Sequence, residues 1–217
     1  IELIEVQYDV LKPVTDVFEA IDGERVHPDK PNHFSTTRFA IGNVHKAFSE
    51  AKYISKGRYE TQRIEHAFLE KESAVAHPDG DGGVVVYSQG QGIYVDRKQI
   101  AAILNLPIHK VRVILVPNGG GFGGKEDLTV QGHAALFAFL LDKPVKITLT
   151  RSESIRMHPK RHPVYMDMEL AADANGKLMG LKLMAVGDTG AYASVGTKVM
   201  ERVAGHATAG YFVPNVD

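Results

Sequence analysis

An α+β fold, mixed sheets with helices packed on them, is what this 217-residue sequence predicts, and three stretches carry the prediction. Lys52 to Ile64 and Gly83 to Tyr87 alternate polar and apolar side chains with the two-residue period of strands. Val111 to Val116 reads as a strand, Asp127 to Leu141 as a helix and Lys146 to Arg151 as a further strand. That order is βαβ-like, and a right-handed crossover would place both strands in one sheet. Beyond Pro159 the pattern changes to a hairpin: Tyr165 to Leu170 and Lys177 to Ala185 flank the turn Asp173-Ala174-Asn175-Gly176.

The remaining elements follow from local signals. Ile1 to Tyr8 alternates like a strand entering a sheet. Pro13 leads into a short helix, Val14 to Ile21, and 22–38 reads as a long polar loop with Pro28, Pro31 and Asn32. Asn43 is placed to cap a helix running through Ser49. Asp79-Gly80-Asp81-Gly82 forms a turn between strands, and Asp96 is expected to cap Arg97 to Leu104, whose Ile100, Ile103 and Leu104 share one face. A last helix is expected over Lys198 to Ala207. Three segments result: an N-terminal strand, helix and loop over 1–42, an α/β unit over 43–158, and the truncated start of a second unit over 159–217. Ile1 has no methionine before it and the chain stops within Val213-Pro214-Asn215-Val216-Asp217, so both ends read as cut.

Composition narrows the function classes. Hydrophobic residues at 44% and charged residues at 24% are ordinary for a globular protein, long enough to bury a core. A net charge of −1 gives no basis for binding nucleic acid or an anionic membrane surface. No apolar run has the length of a bilayer span, and there is no signal-peptide pattern. The absence of cysteine excludes disulfides and any Cys-ligated iron–sulfur cluster or zinc within this chain, and is compatible with a cytoplasmic setting.

The strongest functional signal is Gly119-Gly120-Gly121-Phe122-Gly123-Gly124-Lys125-Glu126, five glycines in six positions between a strand and a helix. Glycine is costly to order, so such a run implies positive φ or close approach of backbone to a bound group. Two phosphate-binding patterns fit in part. Gly119, Gly121 and Gly124 satisfy G-x-G-x-x-G, and Gly119 with Gly124-Lys125 nearly satisfies the phosphate loop. The phosphate loop fails at Glu126, which stands where a hydroxyl should bind Mg²⁺ and would set a carboxylate against phosphates. The dinucleotide pattern lacks its acid at the end of Lys146 to Arg151. A glycine turn serving only strand–helix packing is the plain alternative.

The same eight residues resemble the loop of the xanthine dehydrogenase/aldehyde oxidase family, the molybdenum hydroxylases. The likeness extends in order through Ser88-Gln89-Gly90-Gln91 and Leu106-Pro107 upstream. Downstream it continues through Thr150-Arg151-Ser152-Glu153, Arg161-His162-Pro163, Gly187 to Tyr192 and Met200-Glu201-Arg202. An ordered set is far less probable by chance than any one motif. The resemblance implies molybdopterin-binding α/β sandwich units within the α+β class, and most resembles xanthine dehydrogenase.

What the resemblance implies for individual residues is specific. Gln91 would be the glutamine contacting an oxygen on molybdenum, and its plain reading is a turn contact. Phe122 would offer its N–H to a ligand of the metal, with Gly120 and Gly121 close by, while its ring could equally plug the loop against the core. Glu126, read locally as a first-turn acid favoured by the helix dipole, would hydrogen-bond a ring nitrogen of the substrate. Arg202, read locally as part of a surface ion pair with Glu201 or another acid, would face Glu126 across the substrate and stabilise developing negative charge. Having both favours purines or related N-heterocycles over aldehydes. The implied cofactor is molybdenum–pterin, as molybdopterin or its cytosine dinucleotide form, with iron–sulfur and flavin centres on other domains or subunits. The implied reaction is oxidative hydroxylation of an electron-poor carbon with water as oxygen source, and the base, a glutamate, is expected beyond Asp217.

His158 and His162 lie four apart, but Pro159 between them breaks the helix that would align them as metal ligands. Arg156, Lys160 and Arg161 read as a solvated basic cluster, and His66 and Glu70 as structural. The rivals to a hydroxylase are a nucleotide-binding module using Gly119 to Lys125, and a non-catalytic scaffold of the same fold.

Overall fold

The computed structural model describes residues 3–217. In chain order the elements are helices α1 (Val17–Asp22) and α2 (Val44–Glu50), then strands β1 (Tyr53–Glu60), β2 (Ser73–Pro78) and β3 (Val84–Ser88). Helix α3 (Ile93–Ile103), strand β4 (Val111–Leu115), helix α4 (Gln131–Leu141), strand β5 (Val145–Thr148) and helix α5 (Arg151–Met157) follow. The hairpin strands β6 (Val164–Ala172) and β7 (Leu178–Gly187) and helix α6 (Gly196–Gly205) complete the described chain. No described helix is long and apolar enough to cross a membrane.

The chain packs as two units, one of the chain up to Tyr59 together with Met166–Asp217, the other Glu60–Tyr165. These limits differ from the segments drawn at 42/43 and 158/159. Strand pairing is the reason, because β1 joins the later hairpin in a three-stranded sheet of order β1-β6-β7.

In the first unit, Leu181, Val213 and Val216 are buried, with Met168 and Leu170 packed against them. Helix α2 lies on β7, where a Cβ on Gly180 would come within 3.1 Å of the Ala47 Cβ. The hairpin turn forms as expected: the Asp173 carboxylate accepts from Asn175 N at 2.8 Å and Lys177 N at 2.9 Å, and Gly176 takes φ 80°. Asn43 caps α2, accepting from Lys46 N at 3.0 Å. The N-terminal strand does not form. Ile1 and Glu2 lie outside the described residues, and Leu3 to Tyr8 pair with no strand. Alternation alone makes no strand when its backbone has no ladder to join. Helix α1 starts later than expected because Asp16 caps it, accepting from Phe18 N and Glu19 N.

In the second unit the sheet order is β4-β3-β2-β5. β2 is antiparallel to β3 and β5, whereas β3 and β4 are parallel, with Ser88 opposite Leu115. β4 and β5 therefore share a sheet as expected but are separated by two strands. Ala74, Ala76, Val84 and Val86 meet Ile100, Ala101 and Leu104 of α3 and Ala134, Ala135 and Ala138 of α4 in one core. The alanine face lets α4 sit close on the sheet, and fully burying a side chain such as Ile100 is worth about 1.5–3 kcal/mol.

Candidate functional site

Because β3 and β4 are parallel neighbours, the segments leaving their C-terminal ends emerge side by side. The β3 segment carries Gln91 and the β4 segment is the glycine loop. The crevice beyond the carboxyl ends of such strands is where open α/β sheets bind ligands.

Gln91 binds the loop at four atoms. Its N–H donates to Lys125 O at 2.8 Å. Its side-chain Oε1 accepts from Gly123 N at 3.0 Å and Lys125 N at 3.2 Å, and Nε2 donates to Glu126 Oε1 at 3.3 Å. Gly121 permits this approach: a Cβ there would sit 2.8 Å from Gln91 Cδ and closer still to Oε1. The loop turns through positive φ at Gly120 (99°), Phe122 (53°) and Gly123 (92°). For Phe122 that conformation costs roughly 1–2 kcal/mol. Its ring folds back toward Gly120 and stays 67% exposed, so it is not a plug in the core. Among the described residues no protein acceptor takes the Phe122 N–H.

Glu126 is half-buried and is not a first-turn residue, because the helix begins only at Gln131 after a run of turns. The helix-dipole account of Glu126 therefore falls. The same fact removes the helix N-terminus that a phosphate loop needs. Lys125 argues the same way. It is buried, with Nζ donating to Glu70 O at 2.8 Å and Gln89 Oε1 at 2.6 Å, and so points away from any ligand on the loop. Burial lowers the Lys125 pKa, against the opposing influence of Glu70 and Glu72.

Beneath the loop lies Phe68, fully buried; a Cβ on Gly124 would come within 2.8 Å of its ring and 2.9 Å of His66 Nδ1. His158 packs on Phe68 with ring centroids 4.7 Å apart. It is no partner for a metal with His162: Nε2 lies 2.7 Å from Glu65 Oε1 and Nδ1 3.1 Å from Glu72 Oε1. Behind Gln91, Asp96 sits inside α3 and is not its cap; Gly92 holds the cap position, and the buried Asp96 carboxylate accepts from Ser88 Oγ at 2.8 Å. Burial pushes the Asp96 pKa up, with the Ser88 hydrogen bond opposing and Asp127 adding to the rise. Ser88 Oγ also accepts from Gly90 N and Gln131 Nε2, tying the Gln91 segment to α4.

The second unit thus brings together Gln91, Gly120, Gly121, Phe122 and Glu126. Arg202 belongs to the first unit, exposed on α6. Of the acids expected to pair with it, Glu201 instead pairs with Lys198 at 2.8 Å, and among the described residues no ion pair joins it to Arg202. The supporting roles of Glu70, Gln89, Asn118 and Lys125 were not foreseeable from spacing, because each bridges segments far apart in the chain.

Residues 26–217 match the molybdopterin cofactor-binding domain family. The whole chain is 38% identical to a probable xanthine dehydrogenase subunit of Bacillus subtilis (strain 168), covering 29% of that protein. It is 36% identical over its full length to the nicotinate dehydrogenase large molybdopterin subunit of Eubacterium barkeri, covering 51% of it. Among solved structures, the aldehyde oxidoreductase from Desulfovibrio gigas matches with a TM-score of 0.89 at 25% identity, over 95% of this chain and 23% of that one. The α+β class and the resemblance drawn from the ordered motifs both hold.

Proposed function

The chain belongs to the molybdopterin cofactor-binding domain family, and on that premise we propose that Gln91 and the Gly119–Glu126 loop form part of the binding surface for a molybdenum–pterin cofactor in a xanthine dehydrogenase-like hydroxylase. The observation that carries the reading is the loop itself, with positive φ at Gly120, Phe122 and Gly123, the free Phe122 N–H, and Gln91 laid against Gly121. These residues suit the group. They offer neutral N–H donors and a carboxamide, and among the described residues no cluster of His, Cys, Asp or Glu could hold a metal ion. The cofactor, in its molybdopterin or cytosine dinucleotide form, supplies two-electron oxidation with a water-derived oxygen.

The chain's own residues bind and orient. The Phe122 N–H, with Gly120 and Gly121 beside it, and the Gln91 amide would hold the ligands of molybdenum from a preordered backbone. Glu126 hydrogen-bonds a ring nitrogen of the substrate, and Arg202 stabilises negative charge that develops on the ring, an interaction stronger in the transition state than in the ground state. The substrate is a purine or related N-heterocycle. Relatives named for xanthine and for nicotinate, both nitrogen heteroaromatics, support that choice. Iron–sulfur and flavin centres to receive the electrons would sit on other domains or subunits, since this chain has no cysteine to ligate a cluster. A cytoplasmic setting belongs to the same proposal.

The test is turnover by the full-length protein in ¹⁸O-labelled water with xanthine, nicotinate and an aldehyde as separate substrates. Labelled oxygen in a heterocyclic product is expected. Turnover confined to the aldehyde would overturn the substrate assignment, and no labelled product from any of the three would overturn the reaction.

A further inference from the structure

The glycine run is the segment least able to hold its own shape, since ordering a residue's backbone costs on the order of 1–2 kcal/mol and glycine loses the most freedom. Two side chains outside the proposed cofactor contacts hold it from below. The Glu70 carboxylate accepts from the N–H of Gly119, the first residue of the loop. The Glu70 backbone carbonyl accepts from Lys125 Nζ at 2.8 Å, at the other end. Both ends of the loop therefore converge on one residue.

Lys125 extends the hold. Its Nζ also donates to Gln89 Oε1 at 2.6 Å and lies 4.6 Å from the centroid of the Phe68 ring. Gln89 is fixed in turn, donating through Nε2 to Lys71 O at 2.9 Å and accepting at its carbonyl from Asn118 Nδ2 at 3.1 Å. A buried ammonium is costly unless its protons are donated, and here two oxygens and an aromatic face receive it. The Lys125 backbone N–H and that of Gly123 both donate to Gln91 Oε1, so a displaced Lys125 displaces Gln91 as well.

We propose that Glu70 and Lys125 are positioning residues that clasp the two ends of the Gly119–Lys125 loop and preset Gln91 and the Phe122 N–H before anything binds. The functional meaning of the clasp rests on the cofactor reading above, whereas the preordered loop it describes stands or falls separately.

Hydrogen–deuterium exchange on the full-length protein tests it, with Glu70→Ala, Glu70→Gln and Lys125→Met variants. The amides of Gly119, Gly123, Gly124 and Lys125 each donate a hydrogen bond and report directly on the loop. Glu70→Ala and Lys125→Met are expected to speed exchange in the peptide over 117–126 by at least about tenfold while other peptides keep their protection. Glu70→Gln retains an acceptor for the Gly119 N–H and is expected to restore most of the protection. Unchanged exchange in both disruptive variants, or a Glu70→Gln loop as loose as that of Glu70→Ala, overturns the clasp. If Lys125→Met fails to fold, the two Glu70 variants decide alone. Molybdenum content of the unsubstituted protein separates the two readings: a loop loosened by Glu70→Ala, with no molybdenum in the unsubstituted protein, supports the clasp and sinks the cofactor assignment.

Discussion

The Gln91 carboxamide donates to the Glu126 carboxylate at 3.3 Å, which joins the proposed cofactor contact to the proposed substrate contact through one side chain. The other end of that carboxamide is saturated by the N–H groups of Gly123 and Lys125. Gln91 is thus oriented by the loop it faces, and its amide cannot flip without placing donors against donors.

Gly121 is expected to tolerate a methyl group poorly. A Gly121→Ala Cβ would sit 2.8 Å from Gln91 Cδ, closer than carbon atoms pack, and must push the carboxamide off the loop. Steady-state kinetics should show kcat/KM down by at least about tenfold. Gly205→Ala, whose Cβ meets nothing within 4 Å and needs no positive φ, should leave thermal stability level or slightly raised. Equal effects of the two substitutions would show that crowding at Gln91 does not matter.

Glu126→Ala and Arg202→Ala should each lower kcat/KM on a purine by at least about tenfold, or 1.4 kcal/mol, with a smaller effect on an aldehyde. Unchanged purine kinetics would remove both residues from the substrate assignment.

His158→Ala should destabilise the protein by about 3–5 kcal/mol, read from denaturant midpoints, because it removes the imidazole 3.1 Å from the buried Glu72 carboxylate, whereas Glu65 keeps Lys160 at 3.1 Å. Glu72 is 2% exposed, so water cannot take the imidazole's place freely. A loss below about 1 kcal/mol would mean that the pairing contributes no more than a surface ion pair.

His66 gives a pH dependence with a definite sign. Burial lowers its pKa, with His158, Arg161 and Lys160 adding to the fall and Glu65 opposing. Above the unfolded value of about 6.5 the ring is neutral in both states and its contribution is complete. As pH falls below that value the unfolded chain takes up a proton that the folded chain resists, and stability is lost down to the folded pKa. Denaturant unfolding at about pH 7.5 and about pH 5 should show this loss, and His66→Gln should reduce it. An identical slope in the variant would assign the loss to other groups.

Local chemistry was legible in the sequence where one short segment decides the outcome. Asn43 caps α2, Asp173 to Gly176 closes the hairpin, and the glycine run bends through positive φ at Gly120 and Gly123, as its cost implied. Long-range chemistry was not. Asp96 looks like a cap from its neighbours, but its carboxylate belongs to Ser88 on another element, so the helix starts before it. Glu126 looks like a helix start, yet 126–130 stay irregular and bent, and Thr129 N donates to Gln131 Oε1 at 2.9 Å before the helix begins. Lys125 looks like a phosphate ligand because the pattern records spacing and not direction, and its direction is set by Glu70 and Gln89. One local signal outweighs the strand pattern: Thr150-Arg151-Ser152-Glu153 is a capping box that starts α5 where a strand was expected to continue.

The central claim is that the glycine loop and Gln91 serve a molybdenum–pterin cofactor. Metal and pterin analysis of the full-length protein, purified from cells supplied with molybdate, tests it most directly. Stoichiometric molybdenum with a pterin is the predicted result, reduced in Gly121→Ala. Protein that is folded and complete yet contains neither molybdenum nor pterin would contradict it.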